Sequence, residues 1–191
     1  MSACENPAGP DAASPGNARP RRVAIIGCGG SGKSTLAVRL GRRLSLPVHH
    51  LDRLYWKPGW VPTPAAEWEA LQRHLVAEPE WIMDGNYGGT MDVRLDRADT
   101  IVFLDLPTRT CLAGAIGRYR RYRGRTRPEL VPGCDERLTG EYLWWIWTYR
   151  RRRRPGIVAR LRRLEGSRRV VVLKSRAEVN RFADAAAGPA S

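Results

Sequence analysis

With 191 residues, 42% of them hydrophobic and 27% charged, the chain has the composition of one globular domain with a sizeable core. No stretch approaches the roughly 18 apolar residues that span a bilayer, and the N-terminal segment lacks the apolar centre of a secretory signal. The formal net charge is +14 and the lysines are Lys33, Lys57 and Lys174 alone, so the positive charge is nearly all arginine, whose rigid fork of donors suits phosphate oxygens.

The first 20 residues, rich in Pro, Gly, Ala, Ser and Asn, are expected to form a disordered leader. A single domain follows at 21–184, and 185–191 is expected to fray. "RRVAIIG" predicts a buried strand, and "KSTLAVRLGRRL" a helix to about Leu44. "LPVHHLD" predicts a second strand ending at Asp52, and "RLYWKPGWVP" a loop carrying three large aromatics. Thr63 followed by Pro64 suggests a cap and a first helical residue, opening a helix that buries Trp68, Leu71 and Leu75 and stops before Pro79. "EWIMDG" predicts a third strand ended by "GNYGG", with a short helix over 90–97. "TIVFLDLP" predicts a fourth strand and "TRTCLAGAIGRYRRY" a helix that turns basic. "RGRTRPELVPGCDERLTG" has turn residues and no apolar period, which predicts a loop or small lid. A helix to Arg154, a second after Pro155, a fifth strand at "RRVVVLKS" and a closing helix at "RAEVNRFADAA" complete the chain. Strands that alternate with helices and are apolar on both faces predict an α/β fold on a parallel sheet covered on both sides.

The break between first strand and first helix is "GCGGSGKS", which fits G-x-x-x-x-G-K-[ST] from Gly27 to Ser34 with strand before and helix after. Such a turn aims several main-chain N–H groups into one concave nest, and the positive end of the helix dipole adds to it. The residues expected to hold a nucleotide triphosphate are Gly27, Gly29, Gly30, Ser31, Gly32, Lys33, Ser34 and Thr35. Lys33 is placed to reach the β- and γ-phosphates and Ser34 to hold Mg²⁺. The nest thus implies ATP and Mg²⁺ as cofactors. Cys28 is read as a small filler inside the nest; Cys4, Cys28, Cys111 and Cys134 show no metal-ligand spacing and suit reduced thiols in the cytoplasm.

In an open parallel sheet, chemistry gathers at the carboxyl ends of the strands, where Asp52, Asp84 and Asp105 lie. Asp84, ending the third strand, is preferred to Asp105 as the second magnesium residue, with Asp105 kept as the alternative. Asp52 is the candidate for orienting or deprotonating an acceptor hydroxyl for attack on the γ-phosphate. His49 and His50 are adjacent in a strand and so face opposite sides. Tyr55, Trp56 and Trp60 offer stacking surfaces for a flat acceptor or simply bury their loop, and Asn86 and Tyr87 can line the same cleft. Among the arginines of 118–127, Arg118, Arg121 and Arg125 are chosen as the cations over the moving phosphoryl group, on a lid at about 118–138. "YRRRRR" at 149–154 forms a second cluster, and together the clusters offer a nonspecific surface for nucleic-acid phosphates.

The segments "IIGCGGSGKSTLA", "HLDRLYWKPGW", "WIMDGNYGGT", "VFLDLP" and "YRGRTRPEL", in this order, resemble the DNA topology modulation protein family of adenylate-kinase-like P-loop NTPases. The resemblance spans about 22–182. It implies a three-layer sandwich on a five-stranded parallel sheet of order 2-3-1-4-5, with helices on both faces and a basic lid. "WIMDGNY" is similar to the aspartate–glycine turn of adenylate kinases. Asn86-Tyr87-Gly88 stands where those enzymes carry Phe-Pro-Arg, so AMP does not follow as the acceptor. Two functions are therefore expected from the sequence. One is a soluble ATP-dependent phosphotransferase acting on a small hydroxyl or phosphate acceptor, a nucleoside or nucleotide being favoured. The alternative is an ATP-binding regulator that affects DNA topology through its basic surfaces.

Overall fold

Five short apolar runs, each punctuated by Gly, Pro or Asp, fold as the strands of one sheet. The computed structural model describes residues 19–186; the leader expected at 1–20, with its Cys4, falls outside them but for its last two residues, and so does the end of the expected tail from 187 onward. The strands are β1 (Arg22–Gly27), β2 (Val48–His50), β5 (Trp81–Asp84), β6 (Thr100–Leu104) and β7 (Arg169–Leu173), all parallel, in the order β2-β5-β1-β6-β7. Numbered within the sheet, this is 2-3-1-4-5. The central strands β1, β5 and β6 are buried almost throughout, as strands covered on both faces require.

Two small elements, β3 (Trp56–Lys57) and β4 (Val61–Pro62), pair as an antiparallel hairpin outside the sheet. The helices are α1 (Lys33–Leu44), α2 (Leu51–Tyr55), α3 (Ala65–Leu75), α4 (Met91–Leu95), α5 (Thr108–Tyr122), α6 (Gly140–Arg152), α7 (Arg154–Leu164) and α8 (Arg176–Ala185). A single 3₁₀ turn at Gly88–Thr90 leads into α4. Among the described residues, no helix is long and apolar enough to cross a membrane.

The structure departs from the sequence reading in particular places. The second strand stops at His50, and Asp52 stands in the first turn of α2. The expected aromatic loop is α2 plus the β3–β4 hairpin. Its rings pack edge-on for Tyr55 against Trp56 and Trp68 and for Trp56 against Trp60, and tilted for Tyr55 against Tyr87, with centroids 4.7–5.3 Å apart. Thr63 does not cap α3. Its hydroxyl donates instead to the Tyr55 carbonyl at 2.7 Å, closing the hairpin, and Pro64 takes the N-cap position. The basic segment begins as helix, since Arg118 and Arg121 belong to α5, and only 123–139 runs without helix or extended strand. The break at Pro155 falls two residues earlier than expected, with α6 ending at Arg152 and Pro155 in the first turn of α7.

Two contacts set where the site stands. The turn after β1 lies directly on α5: a Cβ at Gly30 would overlap the Cys111 carbonyl, and a Cβ at Gly114 would overlap the Gly30 carbonyl. Gly30 also has φ +72°, a backbone region L side chains rarely adopt. Asn86, after β5, grips Gly27 from both sides. Its Oδ1 accepts from the Gly27 N–H at 2.9 Å and its Nδ2 donates to the Gly27 carbonyl at 2.7 Å. Gly114 has ordinary helical φ, so Gly114→Ala tests the close approach alone. It is expected to cost about 1–3 kcal/mol of stability, measured by denaturant unfolding. Unchanged stability would mean that α5 does not press on the turn.

Candidate functional site

The end of β1, the start of α1 and the ends of β2 and β5 open into a cleft of about 740 Å³. Gly32, at the N-cap of α1, has φ +94° and brings no side chain to the helix end. The first-turn N–H groups therefore lack a capping partner and remain available to an anion. Gly29, Gly30, Gly32, Lys33, Ser34 and Thr35 line the cleft. Gly27 is held behind it by Asn86, and Ser31 is fully buried. The Lys33 ammonium donates to the carbonyls of Gly27 and Cys28, both at 2.9 Å. Burial lowers the Lys33 pKa, while Asp52 and Asp84 act in the opposite sense. The Cys28 thiol is pushed up by its hydrogen bond to Cys111 and by burial, as suits an inert filler.

The strand-end aspartates occupy three different environments. Asp84, 5% exposed, receives the Ser34 hydroxyl on Oδ2 at 2.7 Å and meets His50 Nδ1 through Oδ1 at 2.5 Å. Asp105 is equally buried but does not line the cleft. Arg154 binds both its oxygens at 2.7–3.0 Å, and Arg150 adds a contact at 3.3 Å. Asp52 borders the cleft opposite the nest. Its Oδ1 accepts from the Tyr87 hydroxyl and its Oδ2 from Arg127, both at 2.8 Å. Burial opposes ionisation of Asp52, but Arg127, the Tyr87 hydroxyl and Lys33 outweigh it and hold the carboxyl below its ordinary value.

The chosen arginines divide. Arg118 and Arg121 line the cleft, whereas Arg125 is exposed and does not. Arg127, two residues further on, is buried at the cleft instead. Glu136 is almost fully buried between two of these cations. It accepts from Arg118 Nε at 2.8 Å and lies 3.4 Å from Arg127 Nε, so an ion-pair chain runs Arg118–Glu136–Arg127–Asp52. Tyr142 on α6 covers Gly29 and accepts from Arg118 at 3.3 Å. Arg176, the first residue of α8, donates to the carbonyls of Ser31 and Gly30 at 2.7 and 2.9 Å, bracing the nest from outside.

Sequence reasoning did not select Arg127, Glu136, Tyr142, Arg176 or His50. It also passed over Arg94, which is buried beneath the turn after β5 and donates to the carbonyls of Gly85, Asn86 and Thr90 and to Gln72. Burial pushes its pKa down to about 10, so it stays charged at neutral pH. The alternation rule does separate the histidines: His49 meets Glu78 at 3.0 Å and His50 meets Asp84. The 123–139 segment has no such period to reveal which arginine turns inward.

No protein-family model matches the chain. It is 28% identical over 136 residues to the Bacillus subtilis (strain 168) protein named "Uncharacterized protein YqaC", covering 68% of this chain and 72% of that one. Among solved structures it is similar to a shikimate kinase from Acinetobacter baumannii in complex with shikimate, with TM-score 0.57 and 14% identity over 86% of this chain and 89% of that one. A gluconokinase from Sinorhizobium meliloti 1021 gives TM-score 0.50 and 18% identity over 90% and 93%. A shikimate kinase from Bacteroides thetaiotaomicron gives 0.51 and 17% over 87% and 96%. The fold is that of the P-loop kinases. Within that P-loop kinase fold, the glycine turn, Asp84 and Asp52 converge on one cleft.

The Asp52 pairing has a measurable signature. Its folded pKa lies below its unfolded value of about 3.9, so its contribution to stability is present above that pH and is lost as pH falls through the folded value. Asp52→Asn is expected to flatten the acid limb of the stability profile below about pH 4, measured by denaturant unfolding from pH 2 to 7. A limb identical to the parent's would show that the pair makes no net contribution.

Proposed function

We propose that this chain is an ATP- and magnesium-dependent phosphotransferase that moves the γ-phosphoryl group of ATP to a small acceptor bound beside Asp52. The observation that carries this reading is the pairing of Ser34 with Asp84 at the mouth of the nest, with Asp52 facing the same cleft. A nest alone binds an anion. A nest with oxygen ligands for a cation and a separate ionised carboxylate has the parts for transfer.

The donor set suits magnesium, which prefers hard oxygen ligands and shares its shell with water and phosphate. Ser34 Oγ and Asp84 Oδ2 supply such oxygens. Among the described residues no group of three or more His, Cys, Asp or Glu is placed to hold a metal ion unaided, in keeping with that shared shell. When bound there, magnesium would neutralise charge on the β- and γ-phosphates. Main-chain amides of 29–35 and Lys33 would bind the phosphates, and Arg118 and Arg121 would stabilise charge on the moving group. Asp52 stays ionised at neutral pH and keeps lone pairs beyond those used by Tyr87 and Arg127, so it would accept a hydrogen bond from the acceptor hydroxyl and align it.

The acceptor we favour is a nucleoside or nucleotide seated between Asp52 and the Trp56 and Trp60 rings. Solved neighbours named gluconokinase and shikimate kinase extend the range to hydroxylated small acids. The alternative of a DNA-directed regulator draws less support from the site. Arg118, Arg127 and Arg154 are engaged with Glu136, Asp52 and Asp105, while Arg150 contacts Asp105 and stays exposed.

A screen of nucleosides, nucleotides, polyols and hydroxy acids for ATP-dependent phosphorylated product is expected to yield an acceptor. With that acceptor, Lys33→Ala is expected to lower kcat by about 10²- to 10³-fold, and turnover like the parent's would remove the reading. Asp52→Asn is expected to lose transfer while ATP binding, followed by calorimetry, stays within about twofold. Unchanged transfer would reduce Asp52 to a structural partner of Arg127.

A further inference from the structure

We propose that His50 is a positioning residue for the metal-binding carboxylate: its Nδ1 fixes Asp84 Oδ1 and thereby holds Oδ2 on Ser34. The inference rests on the reading of Asp84 as a magnesium ligand. It adds a residue that the glycine turn and the strand-end aspartates do not reveal.

The geometry begins with strand register. β2 and β5 are parallel neighbours, and His50 stands directly opposite Asp84. Side chains at paired positions project to the same face of a sheet, so the imidazole and the carboxylate meet at 2.5 Å. His49, one residue earlier, pairs with Met83 and projects the other way, to Glu78. Both members of the His50–Asp84 contact are largely buried, at 14% and 5% side-chain exposure.

The terminal torsion of an aspartate is broad and weakly preferred. A carboxylate held at one oxygen can therefore turn about its last bond. The described hydrogen bonds of the Asp84 carboxylate are Ser34 on one oxygen and His50 on the other. His50 removes the remaining freedom and leaves Oδ2 aimed at the mouth of the nest.

His50 does not line the cleft, whereas Asp84 and Ser34 do. Its described side-chain hydrogen bond is to Asp84. Groups that orient a metal ligand in this way typically account for about 10- to 100-fold in metal affinity.

The test uses the full chain and follows ATP binding by calorimetry at increasing free Mg²⁺, with a metal-free titration in chelator. His50→Ala is expected to raise the half-saturating Mg²⁺ concentration about tenfold or more and to leave metal-free ATP affinity unchanged. His50→Asn, whose amide nitrogen replaces Nδ1, is expected to restore the parent Mg²⁺ requirement. His50→Gln, which places its nitrogen further out, is expected not to. His49→Ala is the neighbouring control and is expected to match the parent.

Asp84→Asn separates the two claims. If it raises the Mg²⁺ requirement and His50→Ala does not, the inference about His50 is overturned and the metal reading stands. If Asp84→Asn leaves the requirement unchanged, the metal reading fails and this inference falls with it. Equal losses of metal-free and metal-bound ATP affinity in His50→Ala would show a merely structural role and overturn it. Should His50→Ala fail to fold, the Asn and Gln variants decide the question by the same criterion.

Discussion

One peptide group bears most of the organisation of this site. The Gly27 N–H and carbonyl are both taken by the Asn86 side chain, and the same carbonyl receives Lys33. A side chain that satisfies both groups of a foreign peptide substitutes for a missing strand partner where the sheet ladder runs out. The turn after β5 is thereby tied to the start of the glycine turn. Arg94 secures that turn from beneath through three of its carbonyls. A buried guanidinium is costly unless its donors are satisfied, and here main-chain oxygens and Gln72 satisfy them. Asp84 lies two residues before Asn86 and Tyr87 directly after it, so the clasp places the partner of Ser34 and the partner of Asp52 together.

The second organising theme is the use of arginine against buried carboxylates. Glu136 sits between Arg118 and Arg127, and Asp105 lies in the fork of Arg154. Such pairs contribute little net stability when buried, but removing one partner leaves an uncompensated charge and is severe. Their effect is to fix geometry. The Glu136 chain joins α5, the 123–139 segment and α2 around the cleft, while Asp105 joins the end of β6 to α6 and α7. The arginine excess visible in the composition is thus partly internal architecture and only partly surface.

The readable parts of the sequence are those whose physics is local. A glycine turn between a strand and a helix must be written in glycines because its backbone angles and close approaches demand them, as Gly30 and Gly32 show. Apolar strands announce themselves by composition. The α/β class was legible for these reasons, whereas the strand order followed from the family resemblance and matches the observed β2-β5-β1-β6-β7. Asp84, preferred to Asp105 as a magnesium residue from its strand, lies within hydrogen-bond reach of Ser34, while Asp105 pairs with Arg154. Elements settled by distant partners were not legible. Thr63 looks like a cap until the hairpin supplies the Tyr55 carbonyl, and Asp52 looks like a strand end until Leu51 starts a helix. Arg125 and Arg127 are alike in sequence. The positions of Asp52 and Glu136, both partners of Arg127, decide which of them turns inward.

The contact between Gly30 and Gly114 has a mechanical corollary. Arg118 follows Gly114 by four residues on the same helix, a rise of about 6 Å, or little more than one turn. The point where α5 touches the nest therefore acts as a fulcrum close beneath the arginine. Any tilt of α5 about that point displaces the guanidinium only slightly relative to the loop, whereas the far end at Tyr122 swings through a wider arc. Glycine-to-glycine packing gauges the base of the Arg118 turn against the loop, and the Glu136 carboxylate holds the guanidinium itself.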